Sequence, residues 1–287
     1  MNINIYFQLT KPKIALLLMI STVAGMMGAW GGNGAIPWNI WLSLLIGGYL
    51  CAGGASSMNC YLDRDLDLAM KRTRNRPLPS GKLKPVNALV FSIIISLLSI
   101  PFFLNVSVMV ALLGATAWVY YVIFYSMFLK KRTPQNIVVG GAAGAFPPLI
   151  GWVGVSGSID LSSIFLFLII FFWTPPHAYA LMLVLKEDYK NANVPMMPVV
   201  KGEKETVRQI IIYSIVFLAI TIVPGVIGLF GMFYLISVII LGVTLLLMSI
   251  KLFYNLTNKW AFRVYRYSTI QLALLFIALV IDQSVIG

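Results

Sequence analysis

Asn59, Asp63 and Asp67 recur at four-residue intervals in NCYLDRDLD, at the end of an apolar stretch, and the basic run KRTRNRPLPSGK follows almost at once. Each four-residue step along a helix drifts by only ~40°, so an amide oxygen and two carboxylates can face one cavity while Asp65 points elsewhere. Hard oxygen ligands at this spacing suit Mg²⁺, which keeps several waters and completes its shell with phosphate oxygens. Arg72, Arg74, Arg76 and Lys82 would hold the same phosphates from the other side. A polar helix end capped by a basic loop is the alternative, and it would suffice for one aspartate near a membrane interface. It does not explain why acids, an amide and four cations are gathered in one short stretch.

The elements that must position these groups are set by hydropathy. The chain is 60% hydrophobic with only 10% charged residues, and its mean hydropathy of +0.90 excludes an ordinary soluble domain. Stretches long enough to cross a ~30 Å hydrocarbon layer occur near 14–31, 38–60, 85–104, 106–127, 135–155, 162–185, 206–227, 229–250 and 267–286. The expectation is an all-α polytopic membrane protein, with nine transmembrane helices around an intramembrane cavity.

A net charge of +12 might point to nucleic acid, but the placement of the cations gives another reason for it. With the N-terminus in the cytoplasm, all 21 Lys and Arg residues fall on the inner side, and the positive-inside rule then predicts N-terminus in and C-terminus out. Only Asp160 and Asp282 carry charge on the outer side. A cationic cytoplasmic face would attract anionic lipid and an anionic substrate. Cys51 and Cys60 are half a turn out of phase on one helix, which predicts neither a disulfide nor a metal pair. The start of the sequence shows no cleavable leader or transit segment, which favours a prokaryotic cell membrane.

No linker divides the chain, so one domain over 1–287 is expected. A faint repeat at an offset of 122 pairs Pro12 with Pro134 and Trp30 with Trp152, suggesting halves of about 1–125 and 126–287. Chance similarity among apolar segments explains it as well. The offset carries Asp67 to Tyr189, beside the acidic pair Glu187 and Asp188. Two acidic helix ends at one membrane face could hold a diphosphate between them. Small residues in the second and fifth spans permit close packing, and the same bare surfaces could leave a slot for a chain-like ligand. The single histidine, His177, follows Pro175 and Pro176, which are expected to interrupt the sixth span, with Thr174 capping the restarted helix. Eleven residues later Asp188 returns to nearly the same face, so both could line one cavity, with His177 deeper.

NCYLDRDLD followed by RNRPLPSGK resembles the first signature of the UbiA superfamily of intramembrane prenyltransferases. Within it the chain resembles the haem-modifying branch through LTKPK at 9–13, DRDLDLAMKRTRNRPLPSG at 63–81, the stretch 125–152 and WTPPHAYALMLVLKEDYKNANVPMMPVV at 173–200. The resemblance implies farnesyl transfer from farnesyl diphosphate to a vinyl group of haem b, with water addition. It implies Mg²⁺ on Asp63, Asp67 and Glu187 or Asp188, with Asn59 positioning an oxygen. Arg72, Arg74, Arg76, Lys82, Lys130 and Tyr125 are implied at the diphosphate, and His177 and Trp173 at the haem. Membrane lipid and a downstream haem A synthase are the implied partners; nucleic acid is not. Two departures stand out. The second D-x-x-x-D of many members is replaced by Glu187 and Asp188, and the Tyr-x-x-x-Lys element runs one residue longer from Tyr125 to Lys130, leaving Lys130 and Lys131 both open. A quinone prenyltransferase and a transporter of an anionic lipid are the competing readings. The transporter fits less well, because the acids sit at one interface beside the basic loop.

Overall fold

The computed structural model describes residues 3–32 and 34–286, with the side chains of 285 and 286 left aside. Among the described residues there is no strand, and nine helices are long and apolar enough to cross a membrane: Pro12–Trp30, Trp38–Leu62, Pro85–Val106, Val108–Leu129, Asn136–Ser156, Leu161–Val184, Gly202–Val226, Met232–Tyr254 and Asn258–Ser284. These are the first to ninth spans below. The ninth begins nine residues earlier than hydropathy predicts, because Lys259, Arg263 and Arg266 ride on its first turns instead of lying in a loop. Four shorter helices are not evident from hydropathy: Ile3–Leu9, Arg64–Ala69, Lys186–Asn191 and Met197–Val200.

Local chemistry sets the helix ends. Pro12 and Pro85 occupy first-turn positions, where a missing N–H costs nothing. Asp160 and Ser163 form a reciprocal capping box at the sixth span. Asp160 also accepts from Trp152 Nε1 at 2.8 Å, tying the fifth span to the sixth. Asp282 accepts backbone N–H groups from Gly231 and Tyr234 at the start of the eighth span. Both acids assigned by sequence to the outer side are thus helix caps, where a negative charge meets the positive end of the helix dipole.

The proline pair does not interrupt the sixth span. Leu161–Val184 runs through Pro175 and Pro176 without a break, and Thr174 Oγ1 donates to Ile170 O at 2.8 Å rather than capping a new helix. The prolines leave Phe171 O and Phe172 O without their helical donors, a loss that a helix enclosed by its neighbours tolerates.

The small residues serve two faces. A Cβ on Gly25 would lie 2.1 Å from Pro148 O, and one on Gly151 would lie 2.0 Å from Thr22 O, so the first and fifth spans cross backbone to backbone. Gly54 likewise meets Ser96 of the third span. Gly48, Ala52 and Gly144 instead line a cavity. Packing and slot, both open from sequence, are both present.

Candidate active site

The second span ends at Asp63, where the backbone leaves helical geometry (φ −95°, ψ 4°) before the helix Arg64–Ala69 begins. The expected single helix through Asp67 is therefore broken at Asp63, the middle residue of the three. The four-residue ladder nevertheless survives the break: Asp63 N–H donates to Asn59 O at 2.9 Å and Asp67 N–H to Asp63 O at 2.7 Å. Asn59, Asp63 and Asp67 are all buried, at 4%, 2% and 3% exposure, whereas Asp65 is exposed beside Arg64.

Asn59 is held on every side. Its Nδ2 donates to Asp63 Oδ2 at 2.7 Å and to Ser126 Oγ at 3.1 Å, and its Oδ1 accepts from Lys11 Nζ at 2.8 Å. Lys130 Nζ donates to the same Asp63 Oδ2. Asp63 Oδ1 is then left buried with no hydrogen-bond partner, an arrangement that is costly unless a further cation or donor meets it. Arg76 donates to Asp67 Oδ2 at 2.7 Å, and Thr73 Oγ1 donates to Asp67 O at 2.9 Å. Burial alone would lower the Lys130 ammonium, but Tyr125 and Asp63 reverse the sign and hold it above the ordinary lysine range. Burial pushes Lys11 the other way, down from its ordinary value, and the nearby Arg76 and Lys130 add to that.

The extra residue between Tyr125 and Lys130 is absorbed by the backbone. Tyr120–Leu129 is a π-helix, whose i→i+5 bonds stack position i+5 over i, and Lys130 N–H closes on Tyr125 O at 2.9 Å. Lys130 therefore reaches Asp63, while Lys131 is exposed. Arg72, Arg74 and Lys82 are exposed as well, on a turn-rich loop pinned by buried Met70, Leu78 and Leu83. Of the loop's cations named from sequence, Arg76 is the one in contact with an acid of the site.

Below the polar cluster lies an apolar cavity of about 200 Å³ between the first five spans. Ser56, one turn before Asn59, and Tyr121 are on its wall. Tyr121 stacks on Tyr125 with ring centroids 5.6 Å apart, and its carbonyl accepts from the Ser126 hydroxyl that Asn59 touches. Along the second span the lining runs from Leu44 to Ser56, ~18 Å of helix.

The UbiA prenyltransferase family profile matches residues 18–279. The chain belongs to the UbiA prenyltransferase family. It is 43% identical over 282 residues to a protoheme IX farnesyltransferase of Roseiflexus castenholzii, covering 98% of this chain and 52% of that protein. It is 42% identical to the one of Symbiobacterium thermophilum, covering 96% and 93%. The chain thus spans about half the length of some curated relatives and nearly all of others. In fold it is similar to a digeranylgeranylglyceryl phosphate synthase structure (TM-score 0.80, 19% identity, 98% of each chain). It is also similar to a UbiA homologue from Archaeoglobus fulgidus bound to DMAPP and Mg²⁺ (TM-score 0.64, 15% identity, covering 96% of this chain and 98% of that one).

In this UbiA-family chain the acids do not form a complete cage. No group of three or more His, Cys, Asp or Glu side chains able to hold a metal occurs among the described residues. Glu187 and Asp188 lie on the short helix Lys186–Asn191, whose Tyr189 is within electrostatic reach of Tyr125, but they do not join Asp63 and Asp67 in one cluster. The donor set still fits a cation such as Mg²⁺, which takes few protein ligands, because Asp63 Oδ1 is unpartnered and buried.

His177 points to another neighbourhood. It stacks on Trp173 (4.1 Å) and meets Tyr265 of the ninth span at a tilt (4.7 Å), its Nδ1 is 2.9 Å from Ser268 Oγ, and it is not on the wall of the apolar cavity. Asp188, expected to share a cavity with it, does not line that one either. Ser268 Oγ gives its only proton to Tyr265 O at 2.8 Å, so it accepts from His177 Nδ1–H, and the lone pair is left on Nε2. Trp173 Nε1 donates to Ser268 O at 2.8 Å in the same arrangement.

Sequence reasoning placed Lys11 only within the LTKPK stretch and missed its role beside Asn59. A signal existed: a lysine directly before a first-turn proline, at the same membrane face as the acids. Ser126 and Thr73 carried no such signal.

Proposed function

We propose that this chain transfers a farnesyl group from farnesyl diphosphate to a vinyl group of haem b, adding water, to give haem O and diphosphate. The observation that carries the reading is Asp63 Oδ1, bare and buried among Lys11, Arg76 and Lys130 at the head of an apolar cavity. Such a site offers a place for a divalent cation, positive charge for a diphosphate and a dry space for its hydrocarbon tail. The relatives named protoheme IX farnesyltransferase support the choice of haem b as acceptor. The DMAPP and Mg²⁺ in the Archaeoglobus homologue support an allylic diphosphate used with Mg²⁺.

Asp63 and Asp67 would hold the Mg²⁺, and Asp188, with Glu187 as the alternative, would act on it through its bound waters rather than as a third direct ligand. When bound, Mg²⁺ neutralises charge on the departing diphosphate. Asn59, fixed by Lys11, Ser126 and Asp63, keeps the Asp63 carboxylate turned so that Oδ1 stays free. Lys11 has no carboxylate within ion-pair distance among the described residues, so its charge is available to the diphosphate, together with Arg76 and Lys130. The exposed Arg72, Arg74 and Lys82 would attract the anion from the surface, and Tyr125 would shape the wall beside it.

The allylic C–O bond breaks with its electron pair leaving on diphosphate. The vinyl π electrons of haem b form the new C–C bond to the allylic carbon, and water captures the resulting cation, losing a proton. The cavity wall excludes water from the first cation. His177 and Trp173 would contact the haem, with Nε2 the free imidazole nitrogen. The reading assigns the activity to one domain over 1–287 in the cell membrane, with N-terminus in, C-terminus out and the acids facing the cytoplasm. A haem A synthase would take the product.

The test is product analysis. Membranes containing the full chain are incubated with haem b, farnesyl diphosphate and Mg²⁺, and haem O is sought by mass. No haem O from correctly folded protein overturns the reading.

A further inference from the structure

A second apolar cavity, about 210 Å³, lies in the groove between the third and fourth spans. Cys51, Phe103 and Trp118 line both it and the cavity beneath the acids. Two apolar spaces of nearly equal size are therefore separated by one layer of three side chains. The outer space opens toward the lipid-facing side, since Ile93, Leu97 and Ile100 on its wall are 43%, 59% and 43% exposed. The third and fourth spans are also the least enclosed of the nine.

The layer is built to stay closed. Trp118 Nε1 donates to Ser96 Oγ at 2.9 Å, which fixes the indole across the gap. Phe103, 2% exposed, is clasped by two glycines: a Cβ on Gly114 would lie 2.4 Å from its ring and one on Gly47 3.0 Å. Cys51 Sγ reaches Gly114 O at 3.6 Å and fills the remaining corner. Packing alone would not require that a half-buried indole be tied across a void that continues on its far side.

We propose that Phe103 and Trp118 are the residues that set the length of allylic tail this chain accepts. The inference rests on the prenyl-transfer reading above and deepens it. With the diphosphate at Asp63, the tail runs down the second span, and Cys51 stands twelve residues away, ~18 Å of helix. A tail that fits in the inner cavity stays enclosed and dry. A longer tail meets the Phe103 and Trp118 wall, and adding even one methylene to a filled apolar pocket is resisted. Removing the wall joins the two cavities and lets surplus tail run out among lipid chains, where its hydrocarbon is as well solvated as in the protein.

The test compares farnesyl and geranylgeranyl diphosphate as donors to haem b for the wild-type chain and for Trp118→Ala, Phe103→Ala and Trp118→Phe, reading the ratio of kcat/KM for the two donors. The expected wild-type preference for farnesyl is about tenfold or more, the discrimination an apolar pocket can supply. Trp118→Ala and Phe103→Ala should bring that ratio to within about threefold of unity, and Trp118→Phe, which keeps an aromatic wall, should retain most of the preference. A wild-type protein that uses both donors equally overturns the proposal, as does an alanine variant that keeps the wild-type ratio. A wild-type protein that transfers neither tail to haem fails the underlying reading instead. Because a ratio within one preparation is read, partial loss of folded protein does not alter it. If Trp118→Ala does not fold, Phe103→Ala gives the same reading from the opposite side of the layer.

Discussion

Lys11 Nζ donates to Asn59 Oδ1 across 2.8 Å, joining the start of the first span to the acidic end of the second. The contact fixes the amide so that both Nδ2 hydrogens are spent on Asp63 and Ser126. Lys11→Met should lower transfer by about tenfold or more, since a charge for the diphosphate and the orientation of Asn59 are lost together. Stability should change little. Removing a buried ammonium whose charge is disfavoured offsets the cost of leaving Asn59 Oδ1 unpartnered. Turnover and thermal midpoint measured on the same detergent preparation check the split, and wild-type turnover would remove Lys11 from the site.

Asp63→Asn should reduce transfer by about 10²-fold or more at saturating Mg²⁺, and Asp67→Asn comparably, while exposed Asp65→Asn stays near wild type. Asp63→Asn should also destabilise the fold by about 3–5 kcal/mol, because it leaves buried Lys130 without its carboxylate. Adding Lys130→Met should restore thermal stability but not turnover. The sign of the pH effect follows from Lys130 being held above its ordinary value. The pair's contribution is complete below the ordinary lysine pKa and is lost only as pH rises through the higher folded one. Thermal midpoints of the wild type should thus show no loss from this pair between pH 6 and 9, a range well below ~10.4.

The nine spans and the Asn59, Asp63 and Asp67 ladder were legible because hydrophobic length and four-residue spacing are one-dimensional signals. What escaped was contact between distant segments. Nothing near Asn59 in the chain announces Lys11, and nothing near Tyr125 announces that a π-helix would absorb the extra residue before Lys130. Proline pairs misled, since a helix enclosed by neighbours tolerates lost N–H groups that would end it in water. Proximity of Glu187 and Asp188 to the first acids was inferred from a repeat offset, which carries no distance.

The crossing of the first and fifth spans gives a stability prediction free of chemistry. Gly25→Ala places a Cβ 2.1 Å from a backbone oxygen that cannot turn aside, so the two helices must part. A loss of about 1–3 kcal/mol is expected, read as a lowered thermal midpoint in detergent. Gly144→Ala, where nothing lies within 4 Å, should be tolerated. Equal midpoints for the two variants would contradict the close crossing.

Topology follows from the 21 basic residues on one side of the predicted layout. A reporter fused after Gly287 should be found outside and one inserted near Ser80 inside. If the two report the same side, the arrangement of nine crossings with N-terminus in is wrong.

His177 separates the two substrates. Its Nδ1–H is committed to Ser268 and its ring packs against Trp173 and Tyr265, so Nε2 is the atom left to meet a haem. His177 stands seven residues, ~10 Å of helix, before the end of the sixth span at Val184, and Asp188 lies beyond that end on the separate helix Lys186–Asn191, too far for both to touch one diphosphate. His177→Ala should therefore raise the apparent KM for haem b by about tenfold or more, with that for farnesyl diphosphate nearly unchanged. Added imidazole should partly restore haem use if Nε2 binds iron, and the haem absorption band should shift with it. Ser268→Ala should give a weaker form of the same effect, since it frees Nδ1 and releases the tautomer that keeps the lone pair on Nε2. Equal loss for both substrates, without imidazole rescue, would mean that His177 only packs the sixth span against the ninth.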